Sequence, residues 1–150
     1  MATLQFDLYF VPRAGRLPLR NSDGYDVPAL AESAALEAHA YLDKKIGKPW
    51  IMLKDWLVFG DEDSNRVDLL RTEDSGAELS ARIDARSINE AFCNTVCELA
   101  DLLHCNLFIA ESGLPLEPDR AALVTALNTS RAAAFVRNPN EFMRGVQNVG

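Results

Sequence analysis

The sequence predicts an α+β fold: a two-layer sandwich in which a mainly antiparallel sheet of about five strands carries helices on one face. Segments with the apolar alternation of strands and segments with the 3.6-residue period of helices occur in the order strand, helix, three strands, helix, strand, helix. That order favours helices packed on one face of an antiparallel sheet. The length of 150 residues, with 48% hydrophobic residues, fits a single domain over residues 1–150.

The N-terminal part of the chain is expected to form a strand, a loop and a helix. Residues 4–11 alternate at first and then run apolar, which predicts a strand whose second half is buried on both faces. Residues 12–26 hold turn-forming residues and three arginines, which predicts a mobile basic loop. Asp26 is the expected N-cap of the first helix, which should end near Ile46.

The middle of the chain predicts three antiparallel strands. Trp56–Gly60 and Arg66–Arg71 flank a turn-rich segment, so a hairpin is the simplest connection. Ala77–Asp84 alternates apolar with polar residues and is expected to be the third strand, with one face in water.

The C-terminal part predicts a second helix, a further strand and two more helices. The second helix should begin at Asn89, and its apolar positions follow a helical stripe: Phe92, Val96, Leu99 and Leu103. Residues 106–110 form a short apolar run, typical of a strand. Pro118 is expected to open a third helix with apolar positions at Leu123, Leu127 and Ala134. Asn138 and Glu141 have the spacing of a capping box at a short terminal helix.

Charge and cysteine content restrict the partners and the compartment. The formal net charge is −7, from 15 basic and 22 acidic residues, which disfavours nucleic acids and anionic membranes as partners. We find neither the roughly 18 consecutive apolar residues of a membrane span nor a secretion signal. Three cysteines do not suggest a disulfide framework. We therefore expect a cytoplasmic protein.

Few residues suggest chemistry. Cys93, Cys97, His104 and Cys105 are close in sequence, and they are either zinc ligands or core residues with a neighbouring histidine. His39 is the only other histidine, and neither histidine has a recognisable catalytic partner. The sequence therefore predicts no enzyme, no cofactor and no assigned metal site.

The acidic residues are concentrated in one segment. Residues 61–78 hold seven acids against two arginines, a local charge of −5. If this segment is a hairpin with its next strand, the carboxylates should gather at one sheet edge and its loops and meet a basic partner. The other interpretation is a solvated edge that resists aggregation. Trp50 and Trp56 bracket the approach to the hairpin, and each is either a binding hot spot or a core residue. The predicted partner-binding residues are Asp61, Glu62, Asp63, Asp68, Glu73, Asp74 and Trp56.

In size, charge and expected fold, the chain resembles the small acidic immunity proteins of bacterial toxin systems. The resemblance is carried by Phe-Asp-Leu-Tyr-Phe at 6–10, by Phe-Gly-Asp-Glu-Asp-Ser-Asn at 59–65 and by Glu-Leu-Ser-Ala-Arg-Ile-Asp at 78–84. It implies that the protein binds a cognate toxin or effector stoichiometrically and blocks it.

Two other functions remain open. The chain is also similar to type III secretion chaperones, which are small and acidic and share much of the element order; it differs from them by a strand before the first helix. That resemblance implies a homodimer that holds an extended segment of a secreted protein. The third alternative is a small-molecule-binding regulatory domain or an enzyme, with its pocket between the sheet and the helices.

Overall fold

The structure, a computed structural model, describes residues 5–130. Within this range the chain forms nine strands and three helices. The strands are β1 Gln5–Pro12, β2 Leu19–Asn21, β3 Gly24–Asp26, β4 Trp50–Leu53, β5 Trp56–Gly60, β6 Arg66–Arg71, β7 Ala77–Asp84, β8 Cys105–Ile109 and β9 Leu114–Leu116. The helices are α1 Glu32–Lys45, α2 Glu90–Leu102 and α3 Arg120–Asn128.

The main sheet is antiparallel and has seven strands, in the order β4-β5-β6-β7-β1-β8-β9. The α+β class is confirmed, but the prediction of about five strands was too low. The five predicted strands are the inner five, and the two that were missed are the edges, β4 and β9. All four residues of β4 are apolar, so they show no alternation, and β9 has only three residues, including Pro115. Ile51 of β4 is 73% exposed, because an edge strand has a neighbour on one side only.

One face of the sheet packs against the helices. Alternate residues of β1, namely Phe6, Leu8 and Phe10, are buried in the same core cluster as Leu42 of α1, Leu99 of α2 and Leu127 of α3. The predicted stripe of α2 is buried as far as Leu99, while Leu103 is the half-buried C-cap. The chain thus buries its main core between the sheet and the helices.

The second half of the segment predicted as a mobile basic loop instead forms the two-stranded β2-β3 hairpin, on the other face of the sheet, while residues 13–18 contain no strand or helix. Val27, which follows this hairpin, is buried with Val11 and Phe108, and Tyr25 packs against the same group. Burial of these apolar residues gives the hairpin a fixed place.

The expected helix start at Asp26 was wrong. Leu30 exchanges two backbone hydrogen bonds with Ala77, of 2.7 and 2.9 Å, so the chain before α1 is held in an extended bridge. The helix begins after Ala31, which has no capping side chain. Its C-cap is Ile46, where the helix was expected to end.

The other two helices have side-chain caps. Asn89 accepts a hydrogen bond from the backbone N–H of Phe92 at 3.0 Å, which confirms its predicted role. Asp119, the residue after Pro118, caps α3 by accepting from Ala122 N–H at 2.9 Å. The expected positions of Ala134 and of the terminal helix at 138–141 lie outside the described residues. None of the helices in residues 5–130 is long and apolar enough to cross a membrane.

Candidate functional site

The predicted partner-binding residues lie in three places: the β5-β6 turn, the β6-β7 turn, and a cleft on the sheet that Trp56 and Asp68 line. Asp61, Glu62 and Asp63 lie in the β5-β6 turn, and we call these three residues the acidic turn. Glu73 and Asp74 lie in the β6-β7 turn, at the opposite end of β6. Since a strand rises about 3.3 Å per residue, the six residues of β6 separate the two turns by roughly 20 Å. The expectation that all these carboxylates gather at one edge was therefore wrong.

The acidic turn has a defined backbone. Asp61 N–H donates to the carbonyl of Asn65 at 3.1 Å, and the Asn65 side chain accepts from Asp84 N–H at 2.8 Å. Gly60 enters the turn with φ of +113°, and a Cβ at this position would lie 2.5 Å from the Asn65 carbonyl oxygen. The turn is thus tied to the end of β7, and it requires glycine at position 60.

The carboxylates of the two turns are exposed and lack ion pairs. Asp61, Glu62, Asp63, Glu73 and Asp74 are all exposed, and none takes part in an ion pair with another described residue. Asp84, next to the acidic turn, is instead paired with Arg86 at 2.7 Å, and hydrogen bonds from Arg86 hold the pKa of Asp84 below its usual value. The acidic turn therefore presents negative charge to solvent.

Trp50, and not the predicted Trp56, lies beside the acidic turn. Its indole N–H donates to the carbonyl of Gly60 at 3.1 Å, and its ring is half-buried. Trp50 stands opposite Val58 in the β4-β5 register, on the face of the sheet away from the helices. The sequence indicated Trp50 as a possible hot spot by its type and its place before the hairpin, but it was not among the predicted partner-binding residues, and β4 was not predicted.

Trp56 and Asp68 meet in a different place, a cleft of about 210 Å³ on the sheet face opposite the helices. We call it the open-face cleft. Its lining residues come from the four neighbouring strands β1, β5, β6 and β7: Asp7, Leu8, Tyr9, Trp56, Arg66, Asp68, Ser80, Ala81 and Arg82. Two of the predicted residues are thus joined here, by a hydrogen bond of 3.0 Å from the Trp56 indole N–H to Asp68 Oδ2.

A buried ion pair lies at one side of the cleft. The side chains of Arg66 and Asp68 are only 8% and 14% exposed. Arg66 Nη2 donates to Asp68 Oδ2 at 3.2 Å, and Nη1 donates to the Glu62 carbonyl at 3.1 Å, which connects the cleft to the acidic turn. Arg66 Nε lies 3.1 Å from Asp68 Oδ1, but these two atoms form no hydrogen bond. Burial raises the pKa of the Asp68 carboxyl, and the Arg66 charge opposes that shift.

A second ion pair crosses the sheet at the other side of the cleft. Arg82 Nε donates to Asp7 Oδ1 at 3.0 Å, and these side chains are 33% and 44% exposed. Arg82 stands directly opposite Arg66 on β6 and opposite Asp7 on β1. Ser80 is likewise opposite Asp68 and Tyr9. Sequence reasoning placed β7 with one wet face but did not assign these polar residues to a common site.

The cysteines are core residues. Cys93, Cys97 and Cys105 are buried and unpaired, and burial raises their thiol pKa values to about 11, 12 and 11. His104 is exposed, with its backbone in the left-handed region at φ of 54°. Among residues 5–130 no group of three or more His, Cys, Asp or Glu side chains is arranged to hold a metal ion. The core interpretation of the cysteines is the one that fits this arrangement.

His39 packs edge-on against Phe59, with ring centroids 5.5 Å apart. It lies on α1, on the helix side of the sheet, whereas the open-face cleft is on the other side.

Comparisons with protein-family models, with curated proteins and with solved structures gave no match.

Proposed function

We propose that this chain is a protein-binding module of the immunity type, which neutralises a cognate toxin by docking a basic surface of the toxin on the acidic turn. The observation that carries this proposal is the group of three consecutive exposed carboxylates that form no ion pair with any residue in 5–130, next to the half-buried indole of Trp50. We expect the module to act in the cytoplasm, without a cofactor, and with neither nucleic acid nor membrane as its partner.

The distribution of unpaired charge supports a basic partner. The arginines of the segment that precedes and forms the β2-β3 hairpin are engaged within the molecule: Arg13 pairs with Asp101 at 2.6 Å, and Arg16 pairs with Asp26 at 3.0 Å. Arg20 lies over the Tyr25 ring, 5.9 Å from its centroid. An incoming protein therefore meets two of these three arginines already paired with carboxylates, whereas the carboxylates of the acidic turn make no ion pair within residues 5–130, which would accelerate its association if it is basic.

Trp50 supplies an apolar anchor beside that charge. Tryptophan is enriched among the residues that dominate binding energy, usually where a polar rim excludes water. The hydrogen bond to Gly60 already fixes the indole, so little side-chain entropy would be lost on binding. A lysine or arginine of the toxin could contact both the ring and the carboxylates.

The two other functions receive less support from the fold. The strand that distinguishes the chain from type III secretion chaperones is β1, which lies between β7 and β8 near the middle of the sheet. A small-molecule module would need its pocket between the sheet and the helices, and within residues 5–130 core side chains such as Leu8, Leu99 and Leu127 are buried there. Binding of a protein, rather than catalysis, is the function that we propose.

The test compares two double variants with the same change in net charge. The partner is the protein that co-purifies with the chain, which we expect to be a toxin encoded next to this gene. Asp61→Lys with Glu62→Lys reverses charge in the acidic turn, and Glu73→Lys with Asp74→Lys reverses it at the opposite end of β6. Asp63 is left unchanged because its negative charge also raises the pKa of the nearby Arg86.

We expect the first double variant to slow association about tenfold or more at low salt, the size of effect that electrostatic steering produces. The control pair should change the rate by less than about threefold. Equal effects of the two variants would show that only net charge matters and would contradict docking at the acidic turn.

A further inference from the structure

The open-face cleft contains four charged side chains whose charges sum to zero: Arg82 and Arg66 stand opposite each other, and each is paired with a carboxylate, Asp7 and Asp68 respectively. Asp7 and Arg82 pair across β1 and β7, and Arg66 and Asp68 lie next to them on β6. Adjacent strands are about 4.8 Å apart. A ligand with a single net charge would therefore meet a like charge about one strand spacing away from its counter-ion, whereas a dipolar ligand can meet an opposite charge at each end.

Several polar groups in the cleft have unused hydrogen-bonding capacity. Of the Arg82 nitrogens only Nε donates a hydrogen bond to a residue in the described range, which leaves Nη1 and Nη2 available. The Ser80 hydroxyl and the Tyr9 hydroxyl likewise make no hydrogen bond within residues 5–130. Together these groups can donate to a carboxylate.

An acceptor for the other end of a dipolar ligand lies on β1. Asp7 accepts one hydrogen bond at Oδ1, and a carboxylate has about four acceptor positions, so Asp7 can also receive an ammonium group. Its side chain is 44% exposed, which keeps that acceptor accessible. Arg82 and Asp7 are directly opposed in the sheet, so the donor and acceptor ends of the cleft are fixed by strand register.

The size of the cleft limits the ligand. A volume of about 210 Å³ is smaller than the roughly 300–1,000 Å³ of sites for drug-sized molecules, which favours a small ligand. Trp56 forms an aromatic wall, held in place by its hydrogen bond to the buried Asp68. Such a wall can contact an apolar or aliphatic part of a small ligand.

From these features we infer that the open-face cleft binds a free α-amino acid, with its carboxylate on Arg82 and Ser80 and its ammonium group on Asp7. The three residues that would hold the amino acid do not belong to the acidic turn, so this inference does not depend on the identity of a toxin. It adds a small-molecule site to a protein that we propose to be a protein-binding module.

The test uses the full chain and the twenty standard L-amino acids, one at a time, in thermal-shift and calorimetric titrations. At least one should raise Tm by about 3 °C at a concentration ten times its Kd. The corresponding N-acetyl amino acid lacks the ammonium group, and the corresponding amide lacks the carboxylate. Both should bind at least about tenfold more weakly, since each loses a charge-assisted hydrogen bond.

Variants locate the site. Arg82→Gln should weaken binding by about tenfold or more, and Ser80→Ala should weaken it by a smaller factor. Arg86→Gln removes an exposed arginine outside the cleft and is the matched control, with Kd expected to remain within about twofold. The inference is overturned if no amino acid binds at 10 mM, if the N-acetyl and amide forms bind equally well, or if Arg86→Gln weakens binding as much as Arg82→Gln.

Discussion

Arg66 shows how one residue can connect the fold with the candidate site. Its guanidinium is buried, pairs with Asp68 and donates to the Glu62 carbonyl in the acidic turn. Taking a guanidinium and a carboxylate out of water is expensive, so each depends on the other. Removing Arg66 leaves the Asp68 carboxylate in a buried place without its counter-ion.

We expect Arg66→Met to lower the free energy of unfolding by about 3–5 kcal/mol, measured by urea titration at pH 7. Arg13→Gln is the control, because the Arg13–Asp101 pair is exposed and should contribute at most about 1 kcal/mol. The double variant Arg66→Met with Asp68→Leu should recover much of the loss, since apolar residues of similar volume can replace a buried pair. An equal loss in the single and double variants would show that the ion pair is not the cause.

Glu78 provides a prediction about pH. Burial, and then the nearby Asp26, raise the pKa of Glu78 above its ordinary value. A carboxyl whose pKa is higher in the folded state destabilises the fold when it is ionised, above both pKa values, and this penalty disappears as pH falls below the ordinary value of about 4.5. We therefore expect Glu78→Gln to be more stable than the wild type at pH 7, and the difference to vanish below about pH 4.

Urea titrations of Glu78→Gln at several pH values would measure this difference. Glu73→Gln removes a charge from the exposed β6-β7 turn and is the control for net charge. A gain for Glu78→Gln that persists unchanged at pH 3.5 would contradict the electrostatic explanation.

The helix caps explain one success and one error of the sequence prediction. Asn89 begins α2 as predicted, because its side chain satisfies a free N–H of the first turn. Asp26 does not begin α1, because the backbone bridge between Leu30 and Ala77 keeps the preceding chain extended. The local capping signal could be recognised in the sequence, but the contact between Leu30 and the distant Ala77 could not.

A capping side chain at the N-cap of α1 should stabilise the protein. Ala31 is exposed, has the extended backbone of an N-cap and makes no capping hydrogen bond. Ala31→Ser should therefore raise the free energy of unfolding by about 1 kcal/mol, and Asn89→Ala should lower it by a similar amount. Thermal or urea unfolding checks both, and a neutral Ala31→Ser would place the start of α1 elsewhere.

Gly60 determines the shape of the acidic turn. Gly60 and Gly24 both have positive φ, so alanine should cost about 1–3 kcal/mol at either position. A Cβ at Gly60 would also press on the Asn65 carbonyl at 2.5 Å, whereas at Gly24 nothing lies within 4 Å. Gly60→Ala should be the more destabilising variant in urea titrations. If the two variants were equally stable, the close approach within the turn would be disproved.

The sequence predicted those strands that lie inside the sheet and have at least one buried face. The inner strands β1, β5, β6, β7 and β8 alternate or run apolar and were predicted, whereas the edges β4 and β9 are short and partly exposed. The hairpin β2-β3 was missed because its strands have three residues each and only Val27 and Tyr25 pack against the sheet.

The candidate site was predictable in composition but not in position. The acidic residues were evident from the sequence, but their division between two ends of β6 depends on the direction of each strand. Trp56 and Asp68 are neighbours only because β5 and β6 pair in one register, and the contribution of Arg82 and Asp7 requires the pairing of distant strands. Sequence spacing alone contains none of this information.

The salt dependence of association is the most direct test of toxin binding through the acidic turn. The association rate of the chain with its toxin would be measured by stopped flow over a range of ionic strengths, for the wild type and for the Asp61→Lys and Glu62→Lys double variant. We predict a rate that falls steeply with salt for the wild type and much less for the variant, because the exposed charges that steer the toxin have been reversed. Identical salt dependence in the two proteins would contradict it.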